Sequence, residues 1–351
     1  MKKKSLNAKI VNPKIKILYH LKDKKINKIY NIFKLNSKID LKNSKIAVGV
    51  SGGVDSLALA FFLKCLSLEK KLKIYYFHVN HHLRIDSSNQ AKYLSKFLIK
   101  FGIKIQILKW KGPKPISNIQ KIAREKRYEL IFNKMDKYNI KNLFIAHHKG
   151  DLMENFIIRL IRGSGLDGLT SFNNIHTQHR DKNIFRPLIN INKQNLNYIS
   201  NKVFKFYISD SSNYENKFQR TRVRNILNNL KKEGLDISKM NLTIKNLTYS
   251  NLSINFLVRN NIETNCHLNC KKNIALFNND FLNKPEEIVF RSISQILSKI
   301  NRNYYPPRGK KIIRLINDLK GIKFKKTTLA MCVIEKYGNT YIITRENGKK
   351  K

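Results

Sequence analysis

From residue 45 the apolar positions of the chain alternate between two rhythms. KIAVGV (45–50), KIYYFHV (73–79), KIQILKW (104–110) and KNLFIAHH (141–148) are short runs rich in β-branched and aromatic residues, and they predict strands. Between and after them, 55–68, 87–101, 116–138 and 151–161 place apolar residues three and four apart and predict helices. Strands that alternate with helices imply a parallel sheet, because parallel neighbours need crossovers, and the crossovers cover both faces. The expected class is α/β. Ligands of such sheets gather at the carboxyl ends of the strands, and GVSGGVDS, HVNHHLR and AHHKGD all fall there.

After about residue 235 the alternation gives way to NLTIKNLTYSNLSINFLVRNNIE, which is more helical and rich in Asn. This second region ends in TTLAMCVIEKYGNTYIITRE, two β-rich runs joined through Tyr337-Gly338-Asn339, where Gly and Asn favour a hairpin. Three segments are expected: a basic extension (1–44), an α/β domain (45–235) and a smaller mixed helical and β region (236–351). A length of 351 residues suits two cores, and 42% apolar residues can fill them. No run reaches the roughly 18 to 20 apolar residues of a membrane span, so no membrane partner is expected. The first residues are basic but carry no continuous apolar stretch, which predicts no cleaved targeting signal.

Charge narrows the partners. Lys and Arg number 70 against 23 Asp and Glu, a formal charge of +47, and a field of that size attracts nucleic acid. The even spread of Lys, Asn and Ile also fits the coding bias of an AT-rich genome. Cys65, Cys266, Cys270 and Cys332 are too few and too scattered for a disulfide framework, and a reducing compartment, cytoplasm or an organelle matrix, is expected. Three residues separate Cys266 from Cys270, a poor spacing for zinc.

The stretch SGGVDS supplies the chemistry. Gly52 and Gly53 let the backbone turn with its N–H groups inward, and the following helix adds unpaired N–H groups and a positive dipole end. Ser51, Gly52, Gly53, Val54, Asp55 and Ser56 therefore read as an anion cradle. Asp55 would repel phosphate unless a cation intervened, which implies Mg²⁺. This loop is neither a GxxxxGK[ST] nor a GxGxxG loop.

SGGVDS after an apolar strand resembles the PP-loop of the N-type ATP pyrophosphatases, which cleave ATP between the α and β phosphates and transfer AMP to an oxygen. Further along, FHVNHHLR, SNIQKIAREKRYELI, AHHKGDLMEN, RLIRGSGLDGL, FRPLI, SDSSN and RTRVRNIL, in this order, resemble segments of the tRNA(Ile)-lysidine synthetase family, as do YYPPRGKK and the final hairpin. The resemblance implies a Rossmann-like catalytic domain, ATP and Mg²⁺, free L-lysine, and an isoleucine tRNA with a CAU anticodon bound by the C-terminal region. It implies roles for Asp55, Asp151, Glu154 and Arg124 in catalysis, and for His147, Arg159, Arg162, Gly163 and Arg222 in binding lysine or tRNA. His148, Arg127, Asp210, Asn213, Arg220 and Arg224 stand in the same motifs, while His81 at a strand end reads equally as structural.

Asp151 and Glu154 lie three apart at the start of a helix, hence on one face, where both are expected to point into the ligand cleft; charges complementing the helix dipole would look the same. The sequence departs from the family at Lys149-Gly150, where a small residue and an aspartate are usual, and at His82, Leu152 and Ser211. Two alternatives stay open. A PP-loop tRNA thiolase would need partnered cysteines, and a tRNA-binding protein with weakened catalysis would fit Gly150. The oligomeric state, a homodimer among the options, is not fixed by the sequence.

Overall fold

The computed structural model describes residues 17–37, 45–70, 72–83, 86–113, 115, 117–173, 175–179, 181–208, 219–301, 307–321 and 323–346. The chain divides into two compact units, Met1–Ile244 and Lys245–Lys351.

The first unit is built on a six-stranded sheet in the order β3-β2-β1-β4-β6-β5. Its strands are β1 (Lys45–Gly49), β2 (Lys73–Asn80), β3 (Ile105–Lys109), β4 (Asn142–Phe144), β5 (His176–His179) and β6 (Lys182–Phe185). β1 pairs in parallel with β2 and β4, β2 with β3, and β4 with β6; β5 alone runs antiparallel, on the edge. The order therefore reverses across β1, between β2 on one side and β4 on the other, which opens a crevice at their carboxyl ends.

Alternation along β1 serves both faces. Ile46 and Val48 join one core with α1 (Lys24–Asn36), α2 (Val54–Lys70), α3 (Ser87–Ile99) and α7 (Lys193–Val203), while Ala47 joins another with α4 (Ile119–Lys137). A third apolar cluster unites α5 (Lys149–Ile161) with α8 (Gln219–Lys232) through Leu152, Met153, Ile157, Val223 and Leu227. The short α6 (Leu166–Thr170) follows α5.

Part of the segment read as a basic extension is a structural layer. α1 buries Ile26, Ile29, Tyr30 and Phe33, and the Tyr30 and Phe33 rings pack on Phe62 of α2 with centroids 5.5 and 5.1 Å away. Asp23 caps α1 by accepting from the N–H groups of Lys25 and Ile26 at 2.9 and 3.1 Å, and it also accepts from the Tyr198 hydroxyl of α7 at 2.6 Å.

The second unit carries most of α9 (Ile237–Asn265), then β7 (Cys266–Asn269), β8 (Ile274–Phe277), α10 (Asn279–Leu282), α11 (Glu286–Asn301), α12 (Gly309–Lys320), β9 (Lys326–Leu329), β10 (Cys332–Tyr337) and β11 (Thr340–Arg345). Its antiparallel sheet, β7-β8-β11-β10-β9, packs against α11 and α12, and the buried Tyr341 hydroxyl donates to Leu319 O at 2.9 Å. The expected hairpin at Gly338-Asn339 is present, but the run before it is two strands. Ala330 and Met331 both take positive φ, 55° and 59°, and fold β9 back onto β10 without a glycine. No helix among the described residues is long and apolar enough to cross a membrane.

Candidate functional site

At the end of β1 the chain turns through Gly52, whose φ of +90° belongs to the left-handed region. A Cβ there would also come within 2.6 Å of Ile208 Cδ1, and the Ile208 N–H donates to Gly52 O at 2.9 Å. Gly53 differs, since a Cβ would meet nothing closer than Ser51 Oγ at 3.6 Å. The N–H groups of Ser51 and Gly52 both donate to Ser56 Oγ at 3.1 Å, so two loop donors converge on one oxygen, the arrangement of an anion nest. Ser56 Oγ in turn donates to Gly53 O at 2.9 Å, and Ser51 Oγ lies 3.1 Å from it. Val54 opens α2, and its carbonyl accepts from the buried Ser200 hydroxyl of α7 at 2.8 Å.

β4 stops at Phe144, earlier than the expected 148, because Ala146–His148 peels away to start α5. His148 caps that helix: its Nδ1 accepts from the Gly150 N–H at 2.8 Å, and its own N–H donates to Asp151 Oδ2 at 2.9 Å. The ring lies where a Gly150 side chain would be, since a Cβ there would fall 2.6 Å from His148 Cε1. With Nδ1 accepting, the neutral ring carries its proton on Nε2. That nitrogen stands 3.7 Å from both Asp55 Oδ1 and Asp151 Oδ2.

Each of the three expected carboxylates has a basic partner. Lys193 Nζ, at the first residue of α7, donates to both oxygens of Asp55 at 2.7 and 2.6 Å. Glu154 is buried and accepts from Arg224 Nε at 2.6 Å and Nη2 at 3.4 Å, so one turn beyond Asp151 it faces α8. Burial would raise the Asp151 carboxyl, but the neighbouring His148 and His147 rings and the His148 N–H hold it below the usual range.

Arginines and histidines surround this cluster. Burial pushes His147 down to about 3; Asp151 opposes that, and the charges of Arg124, Arg186 and Arg220 add to it. Its buried Nδ1 has no hydrogen-bond partner, and its ring lies 4.8 Å from that of Phe172, over which Arg186 also sits. Arg124 lies over the Tyr128 ring and donates to its hydroxyl at 3.3 Å. His81 meets Trp110 edge-on at 6.0 Å and is lowered to about 4 by burial and by the nearby charges of Arg127 and His78.

The remaining expected residues lie further out. Arg159 is half-buried, Arg162 is exposed and donates to Gln219 Oε1 at 2.7 Å, and Gly163 takes a positive φ in open space. Arg220, Arg222 and Arg224, whose alternation fits a strand as well as a helix, are on the helix α8; Arg222 is exposed and Arg224 turns to Glu154. Asp210 and Asn213 lie outside the described residues. Lys193 was not anticipated, because nothing local separates it from the other 69 basic residues of the chain, while Arg186 stands in FRPLI without having been given a role there.

Among the described residues no group of three or more His, Cys, Asp and Glu is arranged as a metal cage. Mg²⁺ commonly takes one or two carboxylates and completes its shell with substrate phosphates and water. Asp55 and Asp151, on either side of His148 and next to the anion nest, fit that mode once Lys193 yields Asp55.

Residues 19–231 match the family model described as a PP-loop domain. The tRNA(Ile)-lysidine synthase of Wolbachia pipientis wMel is 31% identical over 88% of this chain and 72% of its own length. The chain belongs to this PP-loop family. A second lysidine synthase, from Orientia tsutsugamushi (strain Boryong), is 33% identical over 88% of the chain and 71% of its own length. The U34-tRNA thiolase NcsA from Methanococcus maripaludis, with its [4Fe-4S] cluster, shares the fold at a TM-score of 0.54 and 18% identity, over 64% of this chain and 78% of its own.

Proposed function

We propose that this chain is an ATP-dependent ligase that joins L-lysine to C2 of cytidine 34 in the CAU anticodon of tRNA(Ile). The observation that carries the reading is the meeting, at one crevice, of a nest with two convergent N–H donors and a pair of carboxylates bridged by a histidine. The lysidine synthase relatives give the substrate class.

In the first step the cytidine O2 attacks the α phosphorus, and the bond to the bridging oxygen breaks with its electrons leaving on pyrophosphate. The N–H groups of Ser51 and Gly52 and the hydroxyls of Ser51 and Ser56 exchange their bonds within the loop for phosphate oxygens. Asp55, with Asp151 nearby, would hold Mg²⁺, which would supply neutralising charge. In the second step the amine of lysine attacks C2, AMP leaves with the former O2, and the amine gives up a proton.

Asp151 and Glu154 attract the cationic amino acid, and Arg124, Arg186 and Arg220 present positive charge to the anionic nucleotides. Arg224 sets the direction of Glu154 until lysine competes for it. A thiolase reading gains nothing from the shared fold: Cys65 is the one cysteine of the first unit, and it is buried within α2.

The test is a reaction of tRNA(Ile) transcript, ATP and radiolabelled lysine. Label should enter the tRNA only with ATP, and the nucleotide products should be AMP and pyrophosphate. ADP and phosphate, or labelling independent of cytidine 34, would overturn the reading.

A further inference from the structure

SGGVDS contains no lysine, yet it places the carboxylate of Asp55 beside the phosphate nest. A cation is delivered from elsewhere in the chain. Lys193 Nζ touches both Asp55 oxygens, although 138 positions separate the two residues.

Three features separate this pair from an ordinary surface contact. α7 is fixed to the start of α2 by the Ser200 hydroxyl on Val54 O, and Leu196, Ile199 and Val203 sink into the same core as Leu57 and Phe61. The base of the Lys193 stem is therefore held in register with the loop. Lys193 also occupies the first turn of α7, where a cation works against the helix dipole, and Asn192 makes no side-chain cap. Finally, the pair is open to water, with side-chain exposures of 46% and 27%, so its net contribution is small and it opens readily. A cation in an unfavourable helical position, rigidly rooted and loosely paired beside an anion nest, is placed to change partners.

We propose that Lys193 moves from Asp55 to the β and γ phosphates when ATP binds, and is a catalytic residue that touches the departing pyrophosphate. The proposal rests on the adenylating reading above. As the bond between the α phosphorus and the bridging oxygen breaks, its electron pair and negative charge pass to pyrophosphate. Lys193 stays protonated and supplies charge without transferring a proton. Its departure also frees Asp55 for the cation that the nest requires.

The test uses full-length protein with tRNA(Ile) transcript, following pyrophosphate release and lysine incorporation in single turnovers. Lys193→Ala should slow pyrophosphate release about a hundred- to thousandfold, the range for loss of one charge-stabilising donor. It should raise the ATP KM, weaken product inhibition by pyrophosphate by a similar factor, and leave the lysine KM unchanged. Lys193→Arg should recover part of each loss. Lys193→Gln keeps much of the stem without the charge, and it carries the same test should the alanine variant fail to fold. Wild-type pyrophosphate kinetics in the folded alanine or glutamine variant would overturn the proposal. So would equal losses in the ATP and lysine KM values that arginine does not restore, since that marks a merely architectural lysine. If wild-type protein itself yields ADP and phosphate, the functional reading fails first, and the two failures are distinguishable.

Discussion

Arg224 and Glu154, 70 positions apart, are joined by two hydrogen bonds of 2.6 and 3.4 Å across the contact of α8 with α5. Glu154 is buried, while the Arg224 side chain is 38% exposed, so the two ends of the pair have unequal consequences. Arg224→Ala leaves a buried carboxylate without its partner and should cost about 1 to 3 kcal/mol in urea unfolding. Glu154→Gln removes that charge while keeping the shape, and should cost less. It should instead raise the lysine KM or lower the rate, about ten- to hundredfold in kcat/KM, with pyrophosphate release less affected. Equal slowing of both steps would assign Glu154 to the nucleotide instead.

The two glycines of the loop should separate folding from binding. Gly52→Ala forces a side chain into a positive φ and against Ile208, so it should lower the melting temperature as well as activity. Gly53→Ala meets nothing closer than Ser51 Oγ at 3.6 Å, so it should melt near wild type yet bind ATP poorly, because the added methyl crowds an approaching phosphate. Thermal denaturation with and without ATP checks both. A Gly53→Ala protein with normal ATP stabilisation would show that phosphate does not approach there.

His147 should shape the acid side of the stability curve. Its folded value, near 3, lies below the ordinary 6.5, so between these values the unfolded chain binds the extra proton. Stability from this group is therefore fully present above about 6.5, falls as the pH drops through that window, and levels off below about 3. Unfolding free energies measured from pH 7 to 4 should slope less steeply in His147→Asn than in wild type. Parallel curves would mean that His147 is solvated.

The N-terminal helix should behave as core. Phe33 is fully buried against Tyr30 and Phe62, and its replacement by Ala should cost about 3 to 5 kcal/mol, a large fraction of the stability of one unit. A chain started at residue 38 should be insoluble or poorly folded. If that truncated chain instead gave normal, cooperative melts, α1 would be dispensable.

What the sequence discloses follows from the range of the interactions. The strand, loop and helix of 45–68 are local: β1 is buried on both faces and reads as a continuous apolar run, and a φ of +90° at position 52 calls for glycine. β5 and β6 carry no such mark, since HTQH and KNIF are four-residue strands, one of them an exposed edge. In α1 the apolar residues 26, 29, 30 and 33 do keep helical spacing, but four lysines in KKINKIYNIFKLN draw attention to charge instead. The candidate site divides in the same way. Asp55 and Asp151 stand in recognisable motifs, whereas Lys193 matters only by where the fold delivers it.

The long separation between Asp55 and Lys193 also bears on biosynthesis. A ribosome releases the loop early, but the lysine that meets its aspartate emerges 138 residues later, after the strand β6 that precedes α7. Until then the nascent loop lacks the lysine proposed to meet the phosphates. Closing so long a loop is a late event in folding, so affinity for ATP arises together with the finished sheet. Fragments released early from the ribosome would neither sequester ATP nor expend it.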